Sequence, residues 1–221
     1  MIVTIDGPAG AGKSSIAHQV AEALAFEFLD TGALYRAMTW GAMQNELDLA
    51  DTHSLTLFAN QTRLAWMDGR VLLNDQDVSD QIRTPRVTAN IRCLADVPEI
   101  RDLLSQQQRR IARGRDIVTE GRDQGTEVFP DAECKIFLTA SPEERALRRQ
   151  QQLIRAGKEA RFEDILTAQN QRDLEDRMRP VGRLRAAKDA IVISTDGMTS
   201  SEVRDEVLRV VGKCLKHVDA T

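Results

Sequence analysis

The chain is poor in the residues from which metal and redox centres are built. It has three cysteines, Cys93, Cys134 and Cys214, an odd number with no C-x-x-C pair. They read as reduced, mostly buried thiols of a cytoplasmic protein rather than as a disulfide framework. His18, His53 and His217 are equally scattered, which argues against a structural zinc and against a Cys/His catalytic pair. No apolar run approaches the roughly 20 residues of a membrane span. The first strand-like run begins at Ile2, leaving no room for a signal peptide ahead of it. Positive charge is not in excess either: the net charge is −4. An acidic balance without basic residues interleaved with aromatics does not suggest nucleic acid or a membrane surface as a partner. Internal repeats and low-complexity tracts are missing too.

What is present is an ordinary core-forming composition. With 221 residues, 42% of them apolar and 29% charged, the chain is expected to make one ordinary domain, or one domain carrying small insertions. The strand candidates Ile2–Ile5, Phe26–Leu29, Ile117–Thr119, Cys134–Leu138 and Ala190–Ile193 read as buried on both faces. Helical patterns lie between them over 13–25, 32–44, 85–112 with a break near Pro98, 142–156, 161–177 and 199–215. This alternation predicts an α/β fold with a five-stranded parallel sheet and helices on both faces. One stretch departs from it. Thr62–Met67 and Arg70–Leu73 flank Asp68-Gly69 as a hairpin, and Gln76-Asp77-Val78 adds a further extended piece. A small antiparallel insert over about 62–83 is expected.

Gly7-Pro8-Ala9-Gly10-Ala11-Gly12-Lys13-Ser14 satisfies the P-loop pattern G-x-x-x-x-G-K-[ST], and it sits between a strand and a helix as that motif requires. Glycines let backbone N–H groups close around a polyphosphate, and the helix N-terminus adds its dipole. Lys13 can reach the β- and γ-phosphates, and the Ser14 hydroxyl is placed for Mg²⁺. The motif points to a nucleoside triphosphate donor and leaves the acceptor open.

In an open parallel sheet, ligands collect at the C-terminal strand ends. After the second strand come Thr31 and Arg36. They can hold a phosphate monoester, although residue type alone favours a plain N-cap and a surface charge. After the third strand, Glu120 occupies the place of a carboxylate that holds a Mg²⁺-bound water. Arg122 and Asp123 follow it, either aimed at ligand groups or forming a local ion pair in a polar turn. From Arg145 to Arg185 there are ten Arg and one Lys against six acidic residues. Arg145, Arg148 and Arg149 share a helical face, and Arg172, Arg177, Arg179, Arg183 and Arg185 form a second cluster. Two such helices joined at Gly157-Lys158 read as a lid that neutralises phosphate charge, or as a solvated hairpin.

The order G-P-A-G-A-G-K-S-S, L-D-T-G-A-L-Y-R, I-R-T-P-R-V, E-G-R-D-Q-G-T-x-V-F-P-D-A and R-D-L-E-D-R-x-R closely resembles bacterial cytidylate (CMP) kinases over nearly the whole chain. The resemblance implies a P-loop NTPase fold with a core of 1–31, 114–141 and 186–221. It adds a nucleoside monophosphate region of 32–113 that carries the β-insert, and an Arg-rich helical lid over 142–185. It implies ATP at residues 7–15 (Gly7 through Ser15), with Mg²⁺ held by Ser14 and, through water, Glu120. It further implies CMP phosphate at Thr31 and Arg36, and an acceptor pocket lined by Arg101, Arg122 and Asp123, with Arg101 and Asp123 near the cytosine. Arg172 and Asp176 would face the acceptor ribose, and Arg179 would be a lid arginine near the phosphates. Lys13, Arg36, Arg122, Arg172 and Arg179 are the implied catalytic set. A monomer acting on CMP or dCMP is expected.

Cytosine offers an N4 donor with N3 and O2 acceptors, so an Asp facing N4 and an Arg facing N3/O2 complement it, whereas uracil would be repelled at both points. Three positions depart from the family pattern. Arg92 stands at a serine position, Glu120 replaces Asp, and Gly182-Arg183 replaces an Ala-Pro-like pair. The rival readings are another small-molecule P-loop kinase, of UMP/CMP or shikimate type, a regulatory GTPase and a nucleic-acid-binding ATPase. The GTPase needs an N-K-x-D motif that the sequence does not contain, and the acidic balance without basic-aromatic interleaving argues against the ATPase.

Overall fold

The computed structural model describes residues 1–218, so residues 219–221 of the expected core lie outside the described residues. The chain begins with β1 (Ile2–Asp6), α1 (Lys13–Leu24), β2 (Glu27–Asp30), α2 (Thr31–Gln44) and α3 (Thr52–Gln61). Next come β3 (Leu64–Met67), β4 (Arg70–Leu73), β5 (Gln76–Asp77), α4 (Pro85–Asn90), α5 (Arg92–Ala95) and α6 (Pro98–Ala112). It continues through β6 (Ile117–Gly121), β7 (Cys134–Thr139), α7 (Pro142–Arg155), α8 (Phe162–Met178), β8 (Ile191–Ser194) and α9 (Ser200–Val218). The five-stranded parallel sheet has the order β2-β6-β1-β7-β8, and β3-β4-β5 form a separate antiparallel sheet. The chain divides into two compact units, one made of Met1–Phe26 with the segment from Asp116 onward, the other of Glu27–Arg115.

In the first unit β1 runs between β6 and β7, with Val3 opposite Val118 and Cys134, and Ile5 opposite Glu120 and Ile136. A central parallel strand is covered on both faces, and Val3 and Ile5 are fully buried. The edge strands differ from the expectation of burial on both faces. Glu27 of β2 is exposed, and Ile191 and Val192 of β8 are 42% and 57% exposed. A strand at a sheet edge keeps fewer neighbours whatever its apolar content. Helix α1 buries Ile16, Ala17, Val20 and Ala21. Helix α9 buries Val203, Val207, Val210 and Val211, a stripe of helical spacing.

The second unit holds the insert. Leu64 pairs with Leu73 and Trp66 with Val71 across β3 and β4, and all four side chains are buried. The turn has φ of 51° at Asp68 and 74° at Gly69, the positive angles a two-residue hairpin requires. Helix α2 passes this sheet closely: a Cβ at Gly41 would lie 2.6 Å from Leu73 Cδ2 and 2.8 Å from Phe58 Cζ. Helix α3 had no counterpart among the expected helices. It buries only Leu55 and Ala59, too few for a clear stripe, although Asp51 caps it by accepting from the His53 and Ser54 amides. The helical run from Pro85 breaks into three pieces, the last starting with Pro98 in its first turn, where its missing N–H costs nothing.

Candidate active site

The chain leaves β1 into the glycine loop against β7. A Cβ at Gly7 would lie 1.9 Å from the Leu138 carbonyl oxygen, so only glycine fits there. Gly10 and Gly12 then take left-handed φ of 82° and 87°, and α1 starts at Lys13 with no side chain capping its N-terminus. Its first amides therefore keep their hydrogen-bonding capacity for an anion. Lys13 is 5% exposed, and its Nζ donates to the Pro8 carbonyl at 2.8 Å. Burial, and then the nearby Arg122 charge, pulls its pKa down to about 7, against the opposing pull of Glu120 and Asp6.

Beside it, Ser14 Oγ donates to Glu120 Oε1 at 2.9 Å. A hydroxyl and a carboxylate at this spacing are hard oxygen donors of the kind Mg²⁺ uses together with waters and phosphate. The residues present fit that ion. Among the described residues no group of three or more His, Cys, Asp and Glu side chains gathers elsewhere as a metal site.

After β6 the chain makes one wide π-helical turn over Gln124–Val128. This turn is held by a residue that sequence reasoning passed over. Asp6, the last residue of β1, accepts from the Gln124 amide at 2.9 Å and from the Gly125 amide at 2.7 Å. Its burial outweighs those two hydrogen bonds and raises its pKa to about 7. The only signal in the sequence is an acidic residue ending an apolar strand.

Helix α8 docks through charge. Its buried residues are Ile165, Asp173 and Asp176, an unusual inner face for a helix. Asp176 receives Arg122 Nε at 3.0 Å and Arg179 at 2.8 Å, one on each oxygen. Asp173 lies 2.7 Å from Arg145. Arg145 also donates to the Ala140 and Ala9 carbonyls at 3.1 and 2.9 Å, so it supports the glycine loop from behind. Arg148 is bound to Thr195 and Glu144. These two arginines of the expected phosphate-facing cluster are thus engaged by protein groups. Arg172 is exposed, and its charge is felt at Lys13. Gly182 has φ of 68° and donates its amide to Glu127 at 2.8 Å. That angle accounts for glycine in place of alanine.

In the second unit the cap of α2 is Asp30, whose side chain accepts from the Ala33 amide at 3.0 Å. Thr31 is the first helical residue, buried, and not the cap that residue type suggested. Arg36 folds back along the first turn, its Nη1 2.8 Å from where a Gly32 Cβ would stand. Arg101 is buried, donates to the Ala95 carbonyl at 2.9 Å and lies 5.3 Å over the Tyr35 ring. Arg92 pairs with Asp96 at 2.9 Å. Thr31, Arg36 and Arg101 thus belong to one unit, and Lys13, Ser14, Glu120, Arg122, Asp123, Arg172, Asp176 and Arg179 to the other.

A family model described as cytidylate kinase matches residues 3–213. The chain is 68% identical over 216 residues to the cytidylate kinase of Rhodopirellula baltica, covering 98% of this chain and 94% of that one. It is 45% identical over 226 residues to a bifunctional pantoate ligase/cytidylate kinase of a Synechococcus strain, spanning 99% of this chain and 42% of that longer protein. Among solved structures, an uncharacterised protein from Eubacterium ventriosum is similar with a TM-score of 0.51 and 12% identity, over 100% of this chain and 99% of that one. That likeness is one of fold alone.

Proposed function

Because the chain belongs to the cytidylate kinase family, we propose that it transfers the γ-phosphoryl group of ATP to CMP and dCMP, forming ADP and the cytidine diphosphate. The observation that carries this reading is the buried Lys13 at the head of an uncapped helix, with the Ser14–Glu120 contact beside it. Residues 7–15 take the polyphosphate of ATP. Lys13 bridges the β- and γ-phosphates, and its charge is restored once a polyanion faces it.

Ser14 through its hydroxyl and Glu120 through a water would hold Mg²⁺. When bound, that ion screens the phosphate charge. On the acceptor side, Thr31 and Arg36 hold the CMP phosphate, while Arg101 and Asp123 read the cytosine edge. Arg172 and Asp176 face the ribose. Each Asp176 oxygen already accepts one arginine and keeps a lone pair for a further donor.

The acceptor oxygen of CMP is anionic, so no general base is required. Rate enhancement comes from in-line positioning by Arg36 and Arg122, and from charge neutralisation by Lys13, Arg172 and Arg179. The helical hairpin α7–α8 excludes water and suppresses ATP hydrolysis. In this proposal the protein acts as a monomer on small-molecule substrates.

A coupled assay offering CMP, dCMP, UMP, AMP and shikimate with ATP tests the reading. Transfer to the cytidine nucleotides is expected, and none to either of them refutes it. Asp123→Asn should erode the preference for CMP over UMP by about tenfold or more. An unchanged ratio would mean the base is read elsewhere.

A further inference from the structure

Asp6 is a buried carboxylate that none of these roles uses. It is 3% exposed and directly precedes Gly7, yet its side chain turns to a different segment. Oδ1 accepts from the Gln124 amide at 2.9 Å and Oδ2 from the Gly125 amide at 2.7 Å. The two amides lie 118 and 119 residues away in sequence. Asp123, the residue at the head of this turn, makes no capping bond to it with its own side chain, so the Asp6 contacts hold its first amides.

Two neighbours complete the fastening. A Cβ at Gly125 would come within 2.8 Å of Thr4 Oγ1, so the turn lies against β1 as closely as glycine permits. The Gln124 side chain accepts from Thr119 Oγ1 at 3.1 Å, which holds the same residue from β6. Arg122 and Asp123 are the residues immediately before this pinned point. Their backbone path is set on one side by β6, which ends at Gly121, and on the other by Asp6.

We propose that Asp6 is a positioning residue for acceptor selection, using both carboxylate oxygens to fix the 123–125 backbone and so the direction of Arg122 and Asp123. The assignment rests on the reading of those two residues as acceptor contacts. An ionised or protonated carboxyl still offers two acceptor oxygens to two converging N–H groups. An asparagine offers one, and its NH₂ group meets the other amide donor to donor. That mismatch leaves one buried amide without a partner and loosens the turn.

The test measures steady-state kinetics of Asp6→Asn and Gly125→Ala with CMP, UMP and ATP varied in turn, beside Asp123→Asn. Gly125→Ala loosens the same turn from the opposite side and leaves the carboxylate in place. Both variants should raise KM for CMP about tenfold and lower the CMP:UMP preference at least about fivefold, with KM for ATP shifting less than about threefold. A merely structural role would lower the active fraction and leave the CMP:UMP ratio alone. If Asp123→Asn shifts the ratio while Asp6→Asn does not, the assignment of Asp6 is overturned and the acceptor reading stands. If Asp123→Asn also leaves it unchanged, the acceptor reading falls and takes this assignment with it. Should Asp6→Asn not fold, Gly125→Ala decides by the same readout.

Discussion

Binding of ATP at pH 8 should draw a proton onto the protein. Burial has brought the Lys13 pKa to about 7, so at pH 8 only about one Lys13 in ten is charged before ligand arrives. A polyphosphate on the loop lies within reach of its Nζ and favours the ammonium form strongly. Close to 0.9 proton is therefore taken up at this position. Asp6, also near 7, is about nine-tenths ionised at pH 8 and can return roughly 0.1 proton as Lys13 charges. A net uptake of about 0.8 proton per ATP follows. Toward pH 7 the two groups offset one another and the uptake shrinks.

Isothermal titration calorimetry of ATP without acceptor, in pH 8 buffers of widely different ionisation enthalpy, measures this number directly. It is the slope of observed enthalpy against buffer enthalpy. Lys13→Met should flatten that slope. A wild-type slope indistinguishable from zero, or one unchanged in Lys13→Met, would refute a discharged Lys13 in the unliganded protein. The same linkage weakens ATP binding by up to tenfold per pH unit above 7, about 1.4 kcal/mol each.

The two displaced groups also shape stability. The raised Asp6 contributes stability that is present below about pH 4 and lost as pH rises through 7. The lowered Lys13 contributes stability that is present above about pH 10.5 and lost as pH falls through 7. Urea unfolding of the unliganded protein should show the combined contribution lowest near pH 7. Asp6→Asn should remove the acidic branch. Asp173→Ala strands the Arg145 charge, which is 2% exposed, and should cost about 3 kcal/mol. A melting temperature lower by roughly 6–12 °C would be the readout, with a smaller loss for Asp173→Asn. Lys13→Ala should lower kcat by at least about 100-fold without unfolding the protein. Near-normal turnover would remove the glycine loop from the mechanism.

What sequence could reveal here depended on how local the cause was. The Gly7–Ser14 loop was legible because the backbone of eight consecutive residues and the side chains of Lys13 and Ser14 make the motif. The Asp68-Gly69 hairpin was legible because its positive φ angles select their own residues. Asp6 and Asp173 were not, since each acquires its role from partners far along the chain. The arginine-rich stretch suggested charges held out toward phosphates. Nothing in its spacing said that Arg145 would turn inward to the Ala9 carbonyl and Asp173. Thr31 shows the same limit at short range. Asp30 and Thr31 are both good caps by type, and only the angle at which α2 leaves β2 gives the cap to Asp30.

The manner in which α8 is seated has a mechanical outcome. Leu174 and Met178 already face water, and beside the buried Ile165 the helix is anchored by two buried carboxylates, Asp173 meeting Arg145 and Asp176 meeting Arg122. Lifting such a helix wets little apolar surface beyond Ile165, so the hydrophobic effect holds it down only in part. The rest of the hold is charge pairs that a sufficiently charged anion can compete for. A triphosphate arriving beside Arg122 would offer that guanidinium group a replacement for Asp176, and the helix would give up one of its two charged anchors.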